Sequence, residues 1–177
     1  MEMSKELLTA FLTRTIELLM QEETKPSAYI VFSGSWSVKL PEMIRQIKHK
    51  NEFDLIAVLS KEQMEDDLYL NLALSECKQI LTREEALRQE CYKQTTIYPI
   101  FHRDLLAKAA LGISDTYETL WIQKAFEQGG KIKMIANGFD HFTGFEPEAY
   151  QKKILSYVKM LMEYGIEIEI ENKEVKE

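Results

Sequence analysis

Apolar residues near the start of the chain recur at helical spacing: Leu7, Leu8, Phe11, Leu12, Ile16, Leu19 and Met20. This predicts an amphipathic helix from Ser4, a natural N-cap, to about Glu23, stopped by Thr24-Lys25-Pro26. A short β-branched and aromatic run, Tyr29-Ile30-Val31-Phe32, then breaks at Ser33-Gly34-Ser35. Helical spacing resumes with Val38, Leu40, Met43, Ile44 and Ile47, so residues 28–50 read as strand, tight glycine turn, helix. The alternation repeats. Phe53 to Leu59 fits a buried strand, and Ser60 to about Ala73 has weaker helical character. Gln79-Ile80-Leu81 reads as an edge or connecting strand, Glu84 to Glu90 as a helix, and Thr95 to Ile100 as a strand. Leu105 to Leu111 and Thr116 to Gln128 read as helices, with Gly129-Gly130 closing the second, and Ile132 to Ala136 as a strand. A long helix, Glu148 to Tyr164, stops at Gly165 before Ile166-Glu167-Ile168-Glu169-Ile170, a period-two strand.

Strands alternating with helices imply right-handed βαβ units. The expected fold is α/β: a Rossmann-like three-layer sandwich with a mainly parallel sheet and an extra N-terminal helix. Residues 1–27 form the helical extension, 28–171 the α/β domain and 172–177 a polar tail. The Ile/Glu alternation of the last strand places it at a sheet edge with one face wet.

Composition narrows the possibilities. The 177 residues suffice for one domain with a sizeable core, and 45% hydrophobic with 29% charged content is that of a folded protein. A net charge of −7 offers no basic surface to nucleic acid or an anionic membrane, so neither is expected as a partner. Met1 to Glu6 lacks the basic start of a signal peptide, and no apolar stretch approaches a membrane span of about 20 residues. Cys77 and Cys91 have no CxxC spacing and read as ordinary thiols of a reducing, cytoplasmic compartment.

Ligands of doubly wound sheets bind beyond the carboxyl ends of the strands, and that rule selects three loops. Ser33-Gly34-Ser35-Trp36-Ser37 combines glycine, hydroxyls and a following helix N-terminus, which is anion-binding chemistry or simply a turn. It is neither GxGxxG nor a Walker A sequence. Ser60, after the second strand, either faces a ligand or caps a helix. After the strand ending near Ile100 comes Phe101-His102-Arg103-Asp104, where Asp104 is a natural N-cap and His102 and Arg103 face a ligand or solvent. The three histidines, His49, His102 and His141, show no HxxxH or HExxH relation, and no GxSxG elbow exists, so no metal site or serine nucleophile is expected.

The segment Asp104 to Thr116 resembles NTxAKxAxGIxDxL, found in FMN-dependent cysteine decarboxylases such as phosphopantothenoylcysteine decarboxylase and in the B subunit of dipicolinate synthase. Ala107, Lys108, Ala109, Gly112, Ile113 and Asp115 fit it, with Asp104 where the family has Asn. Ser33-Gly34-Ser35 is similar to the family's TGS turn, Lys39 to Ile47 keeps its spacing, and Glu127 to Lys133 resembles the dipicolinate-synthase branch. The resemblance covers residues 28 to 140 and implies FMN. Its phosphate would sit on Ser33, Gly34 and Ser35, with Ser60 near the flavin and Phe101, His102, Arg103 and Asp104 beside the ring. A homotrimer or dodecamer with flavin at the subunit contacts is also implied. Trp36 stacks on the flavin, blocks the pocket, or packs in the core or a subunit contact.

Two departures separate the chain from the decarboxylases. Arg83 to Arg88 contains no histidine where the family carries one, and Pro99 to Asp104 replaces its APxxxN loop, so that Asp104 would repel a carboxylate substrate. Ala136 to Asp140 stands where the family has a PxMN clamp. The reading is therefore an FMN-binding flavoprotein, a redox protein or flavin carrier acting on an unidentified small molecule. The look of this divergent branch suggests a catabolic role in a bacterial microcompartment. His102 and Asp104 are the catalytic candidates. The alternatives are an FMN-dependent decarboxylase of a cysteinyl substrate, with His102 replacing the family histidine, and a degenerate member acting as an assembly or binding partner.

Overall fold

Every strand among the described residues runs the same way. The computed structural model describes residues 25–170 together with Thr9 and Thr13. The expected leading helix and the polar tail lie outside these residues, save that Thr9 and Thr13 are helical. The strands are β1 (Ser27–Val31), β2 (Asp54–Leu59), β3 (Gln79–Thr82), β4 (Thr95–Tyr98), β5 (Lys131–Ile135) and β6 (Glu167–Glu169). They pair in parallel in the order β3-β2-β1-β4-β5-β6. Between them lie α1 (Leu40–His49), α2 (Lys61–Glu65), α3 (Asp67–Glu76), α4 (Arg83–Arg88), α5 (Arg103–Ala110), α6 (Tyr117–Gln128) and α7 (Glu148–Glu163). This is the expected Rossmann-like α/β sandwich, and its strand order reverses between β1 and β4.

The pleat divides the core. Ala28, Ile30 and Phe32 pack with Leu40, Met43, Ile44 and Ile47 of α1 and Tyr69 and Leu72 of α3. Tyr29 and Val31 pack on the other face with Leu105, Leu106, Trp121, Ile122 and Leu161, from α5, α6 and α7. Trp121 is fully buried and donates from Nε1 to Thr96 Oγ1 at 2.8 Å, so its polar handle is satisfied inside the sandwich. β3 and β6 are the edges, as the weak and alternating patterns predict. On β6, Glu169 pairs with Lys50 and Lys133, which puts charge on that edge.

Three local readings are corrected. The stretch from Ser60 to Ala73 is two helices, because Asp66 is extended (φ −92°, ψ 114°) and accepts from Leu68 N–H to start α3. The helix after the glycine turn begins only at Leu40, so a loop separates it from β1. Asp104 does not cap α5: His102 holds the N-cap position, Asp104 is exposed in the first turn, and a carboxylate from elsewhere takes the first helical N–H.

Candidate functional site

The reversal of strand order leaves a crevice where the chain leaves β1 and β4 in opposite directions, and the loops after β1, β4 and β5 meet there. Ser33 is buried, and its hydroxyl donates to the carbonyl of Ile100, tying the two strand ends together. Gly34 follows with φ +69°, a left-handed backbone that glycine adopts without cost. Its carbonyl accepts from Tyr69 Oη at 3.2 Å, and burial raises the pKa of that phenol above its ordinary value, keeping it a donor.

β5 brings the third loop into register. Tyr98 pairs with Met134, and beyond the strands Phe101 N–H donates to Gly138 O at 3.1 Å, forming one further parallel bridge between Phe101 and Phe139. Gly138 permits this approach, since a Cβ there would lie 1.8 Å from Pro99 O. The bridge sets His102 beside Asp140. His102 Nδ1 lies 2.8 Å from Asp140 Oδ1, and Arg103 N–H donates to Asp140 Oδ2 at 3.2 Å. One carboxylate thus orients the imidazole and caps α5.

The resulting cleft has a volume of about 240 Å³ and is lined by residues of all three loops, among them Ser35, Trp36, Lys39, His102, Asp140 and His141. Lys39 Nζ lies 3.2 Å from His141 Nε2, so the ring presents a lone pair to the ammonium there. Larger hollows of about 310 and 540 Å³ lie elsewhere on the fold, around Lys48, Asn51 and Glu76. Lys48 and Glu76 pair with each other at 3.1 Å, and no strand's carboxyl end opens there.

The site residues expected from the sequence divide. Ser35, Trp36 and His102 line the cleft, and Gly34 abuts His102. Ser33 lies beneath it in the core. Ser60 is outside the lining: its hydroxyl accepts from Gln63 N–H in a capping box at the start of α2. Phe101 is buried and packs on Phe139, ring centroids 5.5 Å apart, rather than facing the cleft. Arg103 turns to the 141–146 loop, donating to His141 O at 2.8 Å and Glu146 at 3.2 Å over the Phe142 ring. Asp104 is exposed and lies outside the cleft lining. The helix-terminus donors expected for an anion are largely spent, since Leu40 N–H bonds Ser37 O and Pro41 has no N–H. Asp140 and His141 carried no role in the sequence reading. The one signal for Asp140 was that Ala136 to Asp140 stands at the family's clamp, and His141 figured only among the three histidines without metal spacing.

No family model matches the chain, and no curated protein matches it. Solved structures do. The FMN-dependent cysteine decarboxylase SpaF aligns at 15% identity over 86% of this chain and 87% of its own, with a TM-score of 0.58. The epidermin biosynthesis protein EpiD of Staphylococcus aureus aligns at 16% identity over 81% of each chain, TM-score 0.56. The dodecameric FMN-dependent UbiX-like decarboxylase of Escherichia coli O157:H7 aligns at 12% identity over 80% and 78%, TM-score 0.55. The chain has the fold of these enzymes, and at such identities the likeness is one of fold.

Proposed function

We propose that this chain is an FMN-binding flavoprotein whose cofactor occupies the cleft between the loops after β1, β4 and β5. One observation carries the reading: a Ser-Gly-Ser turn with a left-handed glycine lies at the switch point of a sheet shared with FMN-dependent enzymes. The donor set suits the group. Ser35, Ser37 and Lys39 offer hydroxyls and a cation to a phosphate, and the half-buried Trp36 offers an aromatic face to a flat ring. FMN would supply the electron-transfer chemistry, while this chain's residues bind it, orient it and limit its access to water. A redox or flavin-carrying role follows from the absent family histidine and the replaced APxxxN loop. A trimer or dodecamer, as in the bacterial relative described as dodecameric, belongs to the same proposal.

A second reading, decarboxylation of a cysteinyl substrate, gains from one observation. The repulsion expected from Asp104 is absent because that side chain lies outside the cleft, whose rim carries Lys39 instead. Visible absorbance and native mass of the purified protein test the first reading. Flavin bands, present on isolation or after adding FMN, are expected, and a colourless protein that ignores FMN overturns it. Mass spectrometry of cysteinyl peptides incubated with the loaded protein tests the second, which requires loss of carbon dioxide.

A further inference from the structure

We propose that His102 and Asp140 form a proton-carrying pair in the cleft, with Nε2 of His102 as the atom that takes and returns the proton of a bound ligand's weakly acidic N–H, O–H or S–H group. The pair deepens the flavoprotein reading by naming the group that handles a proton at that site.

The geometry assigns the two ring nitrogens different tasks. An ionised carboxylate only accepts hydrogen bonds, so the 2.8 Å contact between Nδ1 and Asp140 Oδ1 requires the proton on Nδ1. The neutral ring then carries its lone pair on Nε2. Among the described residues Nε2 has no hydrogen-bond partner, and the ring packs against Gly34, whose missing side chain leaves the room that the ring itself takes. The side chains of His102 and Asp140 are each 38% exposed, so a ligand can reach the ring while the carboxylate still holds it.

Asp140 is the positioning residue. Its second oxygen accepts from Arg103 N–H, so rotation of the carboxylate would forfeit the cap of α5. Neighbouring charges match the task. Lys39 stands across the cleft against the His141 lone pair, and Arg103, next to His102, is paired with Glu146, so among the described residues Asp140 is the carboxylate in contact with the ring. In the step, a ligand X–H gives its proton to Nε2. The ring becomes an imidazolium held by the Asp140 carboxylate, the ligand keeps the electron pair as its conjugate base, and reversal restores both. No electron is transferred to or from the protein. A base oriented by a third group is the arrangement acid–base chemistry requires.

The test uses the full chain without flavin. Two-bond ¹H–¹⁵N correlation spectra of the ¹⁵N-labelled protein, recorded where the rings are neutral, report each tautomer. His102 is expected in the Nδ1–H form, with the exposed His49 mainly Nε2–H as in free imidazole. Carbethoxylation with diethyl pyrocarbonate, mapped by mass spectrometry, should modify His102 at a rate comparable to His49. Asp140→Ala should abolish the tautomer preference, and should that variant fail to fold, the wild-type spectrum and modification rate decide alone. An Nε2–H tautomer at His102, or protection of at least about tenfold relative to His49, overturns the proposal. Because neither readout uses FMN, a colourless protein with the Nδ1–H tautomer sinks the flavin reading and leaves the pair standing. A flavin-bearing protein with the Nε2–H tautomer does the opposite.

Discussion

The imidazole of His102 fills the space that a side chain at position 34 would take: a Cβ built on Gly34 would lie 2.1 Å from Nε2 and 2.5 Å from Cδ2. Two loops that leave the sheet at opposite sides of its reversal thus meet, one ring against one absent side chain. The contact joins the turn proposed for phosphate to the group proposed for the proton. Replacing Gly34 therefore acts on both, and through two separable causes: the backbone sits at φ +69°, and the ring must move.

Gly34→Ala is expected to lose stability by about 1–2 kcal/mol from the left-handed backbone alone. Displacing His102 should also weaken FMN binding by at least about tenfold, a further 1.4 kcal/mol. Urea unfolding with a parallel flavin titration measures the two. An unchanged unfolding midpoint would contradict the backbone argument.

Ser33 acts beneath the site. Its hydroxyl donates to Ile100 O inside the core, so Ser33→Ala leaves that carbonyl without its donor at the junction of β1 and β4. The expected cost is about 1–3 kcal/mol in urea unfolding. Ser35→Ala, on the exposed side of the same turn, should cost under about 0.5 kcal/mol while still reducing FMN affinity. Equal stability losses in both variants would show that Ser33 has no such structural task.

The sheet was legible because each strand announces itself locally. Tyr29 to Phe32, Phe53 to Leu59 and Thr95 to Ile100 are short apolar runs that end in turn residues, and their alternation with helices dictates parallel pairing. The cleft was half legible. Ser35, Trp36 and His102 follow strand ends, which the switch-point rule finds in any such sequence. Asp140 was not legible because its partner is 38 residues away and the meeting depends on the Phe101–Phe139 bridge beyond the register of β4 and β5. The same long-range contact defeated the local rule that made Asp104 the cap, since Asp140 already satisfies the Arg103 N–H. The late start of α1 did have a local sign: proline favours the first turn, and Pro41 occupies it.

Acid should loosen the loop that flanks the cleft. Glu146 accepts from the amides of Thr143 and Gly144, from the Thr143 hydroxyl and from Arg103. These bonds, the Thr143 amide foremost, hold its pKa down to about 2 against the opposing effect of burial. A carboxylate with a folded pKa below its unfolded value stabilises the fold above the unfolded pKa, and the contribution fades as pH falls through the folded one. The difference in urea midpoint between wild type and Glu146→Gln should therefore be full above about pH 4.5, shrink below it and vanish near pH 2. A difference independent of pH over that window would show that the ionised carboxylate is not what holds the loop.

Trp36 offers a direct optical test of where flavin binds. The chain has two tryptophans with opposite surroundings: Trp121 is fully buried with Nε1 bonded to Thr96, whereas Trp36 is half-buried in the cleft lining, edge-on to Tyr69 at 5.1 Å between ring centroids. A flavin seated on the Ser33–Ser37 turn would lie against Trp36 and be separated from Trp121 by the sheet, since the two indoles belong to the cores on its opposite faces. Titrating FMN should quench the longer-wavelength, more solvent-exposed part of the emission, saturating with the absorbance change of bound flavin. Trp36→Phe should remove most of that quench while leaving the Trp121 emission in place, and it should weaken binding by about 1 kcal/mol if the indole stacks on the ring. Saturable flavin binding with Trp36 emission untouched would place the cofactor away from this turn and remove the basis for assigning the phosphate to Ser35, Ser37 and Lys39.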